Sequence, residues 1–183
     1  EIVKSMIAYR LGKVKYRIYA RDCTIKQLDS RTCRAFFDNN HIAGYSRAGI
    51  VALGLFYKNE LVRAMSLRKP FMQQKYIDKA EMARFASKIN TVVIGGLAKL
   101  LKSALKICKK LNYNGILTYA DLRYGRGKGY EKVGFKSIGW TGLSYDYTDG
   151  TKRYSRFKFR ANKQFQLSEA EVAINAGVNK IYG

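Results

Sequence analysis

Between Thr118 and Gly139 the chain reads TYADLRYGRGKGYEKVGFKSIG, and this run narrows the fold more than any other. Gly115–Ala120 has the composition of a strand, Asp121 stands at its carboxyl end, and a loop packed with Arg, Lys and Gly follows. A short helix carrying Tyr130 comes next, then a turn through Gly134-Phe135 into another strand. Polar groups at the carboxyl end of a strand, beside a helix start, stand where α/β folds build their sites. This corner holds an acid, two tyrosines and the cations Arg123, Arg126 and Lys128. It is read as a binding site for something anionic, or as a catalytic site beside one.

The remaining elements fit that reading. Leu97–Leu111 has apolar residues at helical spacing, and Gly95-Gly96 opens it. Ile50–Tyr57 and Leu61–Leu67 are apolar strands joined by the hairpin signal Lys58-Asn59-Glu60. Arg17–Leu28 alternates like a strand, and Ser30 caps a short helix, Arg31–Asn39. Glu81–Ser87 reads as a further strand, although its spacing would also suit a helical turn, and Ser137–Trp140, Ser144–Thr148 and Tyr154–Arg160 are strands, the last two closed by Asp149-Gly150. Ser168 and Glu171 form a capping box for a final helix ending at Gly177. Antiparallel strands, then strand–helix–strand, then a hairpin predict an α/β sheet rather than a bundle or a sandwich.

Charge decides the partner class. The 183 residues carry 35 Lys and Arg against 13 Asp and Glu, a net charge of +22. That excess repels itself in the folded state, so a polyanion is expected, and nucleic acid before membrane. No apolar run approaches the ~18 residues of a spanning helix. Apolar residues make up 47% of the chain, which excludes wholesale disorder. Cys23, Cys33 and Cys108 lie far apart without a C-x-x-C pair, which fits buried thiols in a reducing compartment. The chain opens at Glu1 on a helical run, Glu1–Leu11, so it is expected to be part of something longer.

The order of elements, with Ile94-Gly95-Gly96 heading the central helix and Gly129-Tyr130-Glu131-Lys132-Val133-Gly134-Phe135 after the next strand, resembles the GNAT acyltransferase fold. In that family the head of this helix holds a pyrophosphate on backbone N–H groups, and the later tyrosine acts as a general acid. The resemblance therefore implies cofactor binding at Gly95 and Gly96, although Val93 stands where coenzyme-binding members carry Arg or Gln. A close helix–strand packing turn would use the same glycines.

A narrower likeness rests on six ordered motifs. They are Ile18–Cys23, Asn40-His41-Ile42-x-Gly44-Tyr45, Arg84-Phe85, Asn90–Gly96, Tyr119-Ala120-Asp121 and Arg153–Lys158. Together they resemble the carboxy-terminal GNAT-like domain of phage homing endonucleases with a Vsr-like nuclease half, and the Mom-like DNA-modification proteins. The implied fold is α/β, a GNAT-like mixed central sheet with flanking helices. Residues 1–13 would be a linker helix from a preceding domain, 14–163 the GNAT-like domain and 164–183 a helical extension.

Two functions follow. The first is a double-stranded DNA-recognition domain, covalently linked to a nuclease domain and needing no cofactor. With one histidine, no GIY–YIG pair and no paired carboxylates at metal spacing, the chain carries no nuclease motif of its own. The second is a Mom-like enzyme that modifies adenine and needs an acyl donor or a metal. By resemblance its catalytic set is His41, Asp121, Tyr130 and Arg84. His41 would equally bridge loop backbone, Asp121 cap the loop or pair with Arg123, and Tyr130 pack as an aromatic. DNA contacts are expected from Arg123, Arg126 and Lys128 at the mouth and from Lys152, Arg153, Arg156, Lys158 and Arg160 on the hairpin. On a strand from Arg153 onward, Tyr154, Arg156, Lys158 and Arg160 would share one face, with Ser155, Phe157 and Phe159 in the core. The expected setting is the cytoplasm of an infected bacterial host.

Overall fold

A computed structural model describes residues 1–70, 74–142, 145–161 and 166–182. They form two compact units, Glu1–Lys136 and Ser137–Gly183. The boundary expected at 163/164 lies among residues that are not described, and the hairpin before it groups with the C-terminal helix.

The first unit is built on a five-stranded sheet in the order β2-β3-β4-β5-β7. Strands β2 (Thr24–Gln27), β3 (Val51–Tyr57), β4 (Glu60–Arg68) and β5 (Ala80–Ser87) are antiparallel neighbours. Lys58 and Asn59 both take positive φ, 47° and 66°, the tight turn that matches strand twist. Helix α3 (Gly96–Lys110) then carries the chain over to β7 (Ile116–Leu117), which runs parallel to β5. Leu100, Leu101, Ala104 and Cys108 of α3 are buried against Leu55, Met65 and Leu67 of the sheet. On the opposite side helix α2 (Ser30–Asn40) buries Cys33, Phe36 and Phe37 against Ala52, Ala64 and Ala86. The three cysteines are free and buried.

Several elements differ from the sequence reading. The run Arg17–Leu28 is two strands, because a single 3₁₀ turn, Ala20–Asp22, separates β1 (Tyr16–Tyr19) from β2. The cap of α2 is Asp29, whose carboxylate accepts from Thr32 N–H at 2.8 Å, and Ser30 is already helical. Strand β6 (Thr91–Ile94) is too short for a pattern to reveal. It follows β5 after Asn90, at φ +58°, leaves the main sheet and pairs in parallel with β1. Strand β7 is two residues rather than six, since only Ile116 and Leu117 find partners, at Ala80 and Glu81. Ser137–Trp140 is not a strand: Ile138 and Trp140 are exposed, the latter by 81%.

The second unit is a three-stranded antiparallel sheet in the order β10-β8-β9. It comprises β8 (Tyr145–Thr148), β9 (Arg153–Ser155) and β10 (Asn179–Tyr182), with Tyr147, Phe159, Ala173 and Val178 buried in its core. Ser144, expected to start β8, lies outside the described residues. The turn at Asp149-Gly150 is present, with the Asp149 carboxylate accepting from Thr151 and Lys152 N–H. Helix α5 (Glu169–Asn175) has the Ser168/Glu171 capping box. No helix among the described residues is long and apolar enough to cross a membrane.

Candidate functional site

Because β6 departs from the main sheet, the first unit is open beside the head of α3. A cleft of ≈ 1370 Å³ lies there, walled by β5, β6, the first turn of α3, residues 119–133 and helix α1 (Ile2–Arg10). It gathers His41, Arg84, Asp121, Tyr130, Gly95, Gly96, Arg126 and Lys128 from segments far apart in sequence. Helix α1 is held over it by Asn90 N–H donating to Ser5 Oγ at 2.7 Å and by Arg10 donating to Tyr124 O.

His41 terminates α2 in extended backbone. Its Nδ1 accepts from Ala43 N–H at 3.1 Å, so a neutral ring carries its proton on Nε2. Burial, and then the Arg84 charge, push its pKa down to about 4. The basic nitrogen is thus engaged by backbone, and His41 faces neutral pH as a hydrogen-bond donor rather than a proton acceptor. Because the folded pKa is below the unfolded value of 6.5, the unfolded chain binds the extra proton. The stability from neutral His41 is complete above pH 6.5 and is lost as the pH falls towards 4. His41→Gln should flatten the loss between those pH values by ~2 kcal/mol relative to wild type in urea titrations.

Arg84 is a clamp for the same loop. From β5 its Nε donates to Gly44 O at 2.8 Å, and Nη2 to Ala43 O at 3.3 Å. Asp121 follows the plainer reading. Its carboxylate accepts from Arg123 N–H at 3.0 Å and from Arg123 Nη2 at 2.7 Å, and the Arg123 hydrogen bonds hold its pKa below the usual range. The pair fixes the loop after β7 and spends the Asp121 charge internally. Tyr130 lies in α4 (Lys128–Glu131), half-buried and edge-on to Phe135 at 5.6 Å between centroids. Burial raises its pKa against opposing effects of Thr118 and Arg63, so the phenol stays protonated at neutral pH.

Gly95 begins α3 at φ +75°, in the left-handed region, and is exposed. The first-turn N–H groups of Gly96, Leu97 and Ala98 have no partner within the helix. Beside them a shallow groove of ≈ 550 Å³ is lined by Tyr19, Arg21, Lys99 and Lys102. Lys99 folds back onto Ala20 O and Cys23 O, at 2.8 and 2.5 Å, and is not part of a solvated face. These N–H groups, with Arg21 and Lys102 nearby, form a donor set that fits a pyrophosphate.

The hairpin cations are rearranged. The predicted strand Tyr154–Arg160 stops at Ser155 and continues as a 3₁₀ turn, Arg156–Phe159, so the two-residue alternation fails. Phe157 is exposed while Phe159 is buried. Arg156 pairs with Glu169 at 3.1 Å and lies over the Tyr145 ring, and Arg153 pairs with Asp146 at 3.0 Å. Lys152, Lys158 and Arg160 remain exposed.

Sequence reasoning misses two members of the cleft, Arg63 on β4 and Glu81 on β5. Each is a charge on a largely apolar strand, and Arg63 lies at two-residue spacing from the buried Met65 and Leu67, on their face. A charge at an inward strand position was the available signal.

No family model matches the chain, and no curated protein matches it. Among solved structures, a transcriptional regulator from Bacillus halodurans C-125 aligns with a TM-score of 0.51 at 12% identity, covering 65% of this chain and 96% of its own. An integron cassette protein from the mobile metagenome of V. cholerae aligns at 0.50 and 14% identity, over 67% of this chain and 93% of its own. An aminoglycoside acetyltransferase from an uncultured soil metagenomic sample, solved with sisomicin, aligns at 0.48 and 10% identity, over 66% and 93%. The chain has a GNAT-like α/β fold, a mixed central sheet with flanking helices.

Proposed function

We propose that the chain is a GNAT-type transferase whose acceptor is a base of double-stranded DNA, the Mom-like reading. The observation that carries it is the single cleft in which the head of α3 meets His41, Arg84, Asp121 and Tyr130. An acyl donor bearing a pyrophosphate would be held by the N–H groups of Gly96, Leu97 and Ala98, flanked by Arg21 and Lys102. Such a donor supplies an activated acyl carbon. Tyr130 O–H, kept protonated by burial, would give its proton to a leaving group. The Arg84 clamp fixes the loop that presents His41 Nε2–H, which orients the acceptor. Arg123 anchors the far wall through Asp121.

The net charge of +22 supports a DNA acceptor, with Arg126 and Lys128 exposed at the cleft and Lys152, Lys158 and Arg160 exposed on the second unit. A base in duplex DNA has to leave the stack to enter a cleft of this kind. Mass spectrometry of nucleosides from a plasmid co-expressed with the chain tests the reading. A new adenine mass, absent without the chain, is expected. An unmodified plasmid, together with tight, salt-sensitive duplex binding, would instead favour the recognition domain of a homing endonuclease.

A further inference from the structure

Among the described residues, one cation of the cleft has no carboxylate partner. Arg63 projects from β4 on the face it shares with Met65 and Leu67, and its guanidinium lies over the Phe85 ring, 4.4 Å from the centroid. Nη1 donates to Val93 O at 2.6 Å, while Nε is buried and has no hydrogen-bond partner. Among the described residues no carboxylate pairs with it, whereas Arg68 on the same strand is bound by Glu81. Burial lowers its pKa to about 10, which leaves it charged at neutral pH. A buried guanidinium with an unpartnered N–H is costly unless something completes it.

The surroundings define what would complete it. The phenols of Tyr9 and Tyr130 are near enough to interact electrostatically with the guanidinium, so it stands at the reacting end of the cleft. A Cβ at Gly96 would lie 2.8 Å from both Cδ and Nη1, so the helix head is shaped to leave room for this side chain. In the transferase reading the donor's phosphates would lie on the exposed side of Gly95, beside Arg21 and Lys102. The planar fork of an arginine matches a carboxylate, and charge-assisted pairs of this kind are the strong ones.

We propose, resting on the transferase reading, that Arg63 recognises the donor: the transferred acyl group carries a carboxylate, which completes the hydrogen bonding of its guanidinium beside the head of α3. Calorimetry with acetyl-CoA and malonyl-CoA tests this on the purified chain, on Arg63→Met and on Arg63→Lys. Wild type should prefer malonyl-CoA by about tenfold or more. Arg63→Met should abolish the preference, and Arg63→Lys should restore part of it. Equal affinities in wild type, or a preference that survives Arg63→Met, would overturn the proposal. The ligand-free melting temperature gives a second reading. It should rise in Arg63→Met, because an unpaired buried charge is removed, and a fall would make Arg63 a structural clamp on Val93 O instead. If neither thioester binds wild type, the transferase reading fails, and malonate alone decides the subsite. Malonate that raises the melting temperature of wild type but not of Arg63→Met sustains it, and equal effects on both remove it.

Discussion

Tyr130→Phe is expected to cut group transfer by roughly a hundredfold or more while leaving the fold and duplex binding unchanged. The substitution removes one oxygen and keeps the ring that meets Phe135 edge-on. The phenol's value lies in its protonation state, because burial raises its pKa and a raised pKa keeps the proton available at neutral pH. The cost in stability should stay within ~1 kcal/mol, since a half-buried hydroxyl is exchanged for none in a site open to water. Transfer rates and a melting curve on the same preparation separate the two effects. A rate within threefold of wild type would reduce Tyr130 to a packing aromatic.

What was legible in the sequence follows the strength of each local signal. Helix α3 has a full apolar stripe and two glycines at its head, so its place could be read directly. The β3–β4 hairpin announces itself because Lys58 and Asn59 must both adopt positive φ between two apolar runs. Asp121, Arg126, Lys128 and Tyr130 of the corner singled out in the sequence do line one cleft, whereas Arg123 does not. The roles within it were less legible, because they depend on hydrogen-bond partners that spacing does not encode. Ala43 N–H occupies His41 Nδ1, and Arg123 occupies Asp121, so two groups expected to handle protons are held by their neighbours.

The segment from Arg153 to Arg160 misleads for a different reason. Its charges and aromatics alternate with period two, yet the chain turns after Ser155 because Phe159 packs against Tyr147, at 4.9 Å between ring centroids. Tertiary packing overrides the pattern there. Strand β6 has only four residues, too few for any periodicity, although its departure from the main sheet is what opens the cleft.

Glu81→Ala should cost ~3–5 kcal/mol of stability, the range for removing one partner of a buried ion pair. Glu81 is only 3% exposed, and its Oε1 accepts from Arg68 Nε at 3.0 Å and Nη2 at 2.5 Å. Arg84 feels both residues, the Arg68 charge opposing its own and Glu81 supporting it. Loss of the carboxylate would therefore set two guanidiniums against each other beneath the loop that Arg84 clamps. For a chain of this size the cost corresponds to a melting temperature lower by roughly 6–20 °C, measurable by calorimetry. The double variant Arg68→Met with Glu81→Leu should recover most of it, since an apolar pair of similar volume carries no desolvation penalty. A single-variant cost below 1 kcal/mol would mean that water in the cleft screens the pair. The full cost would instead make Glu81 the charge that lets two arginines share the cleft wall, so that Arg84 can hold the His41 loop in place.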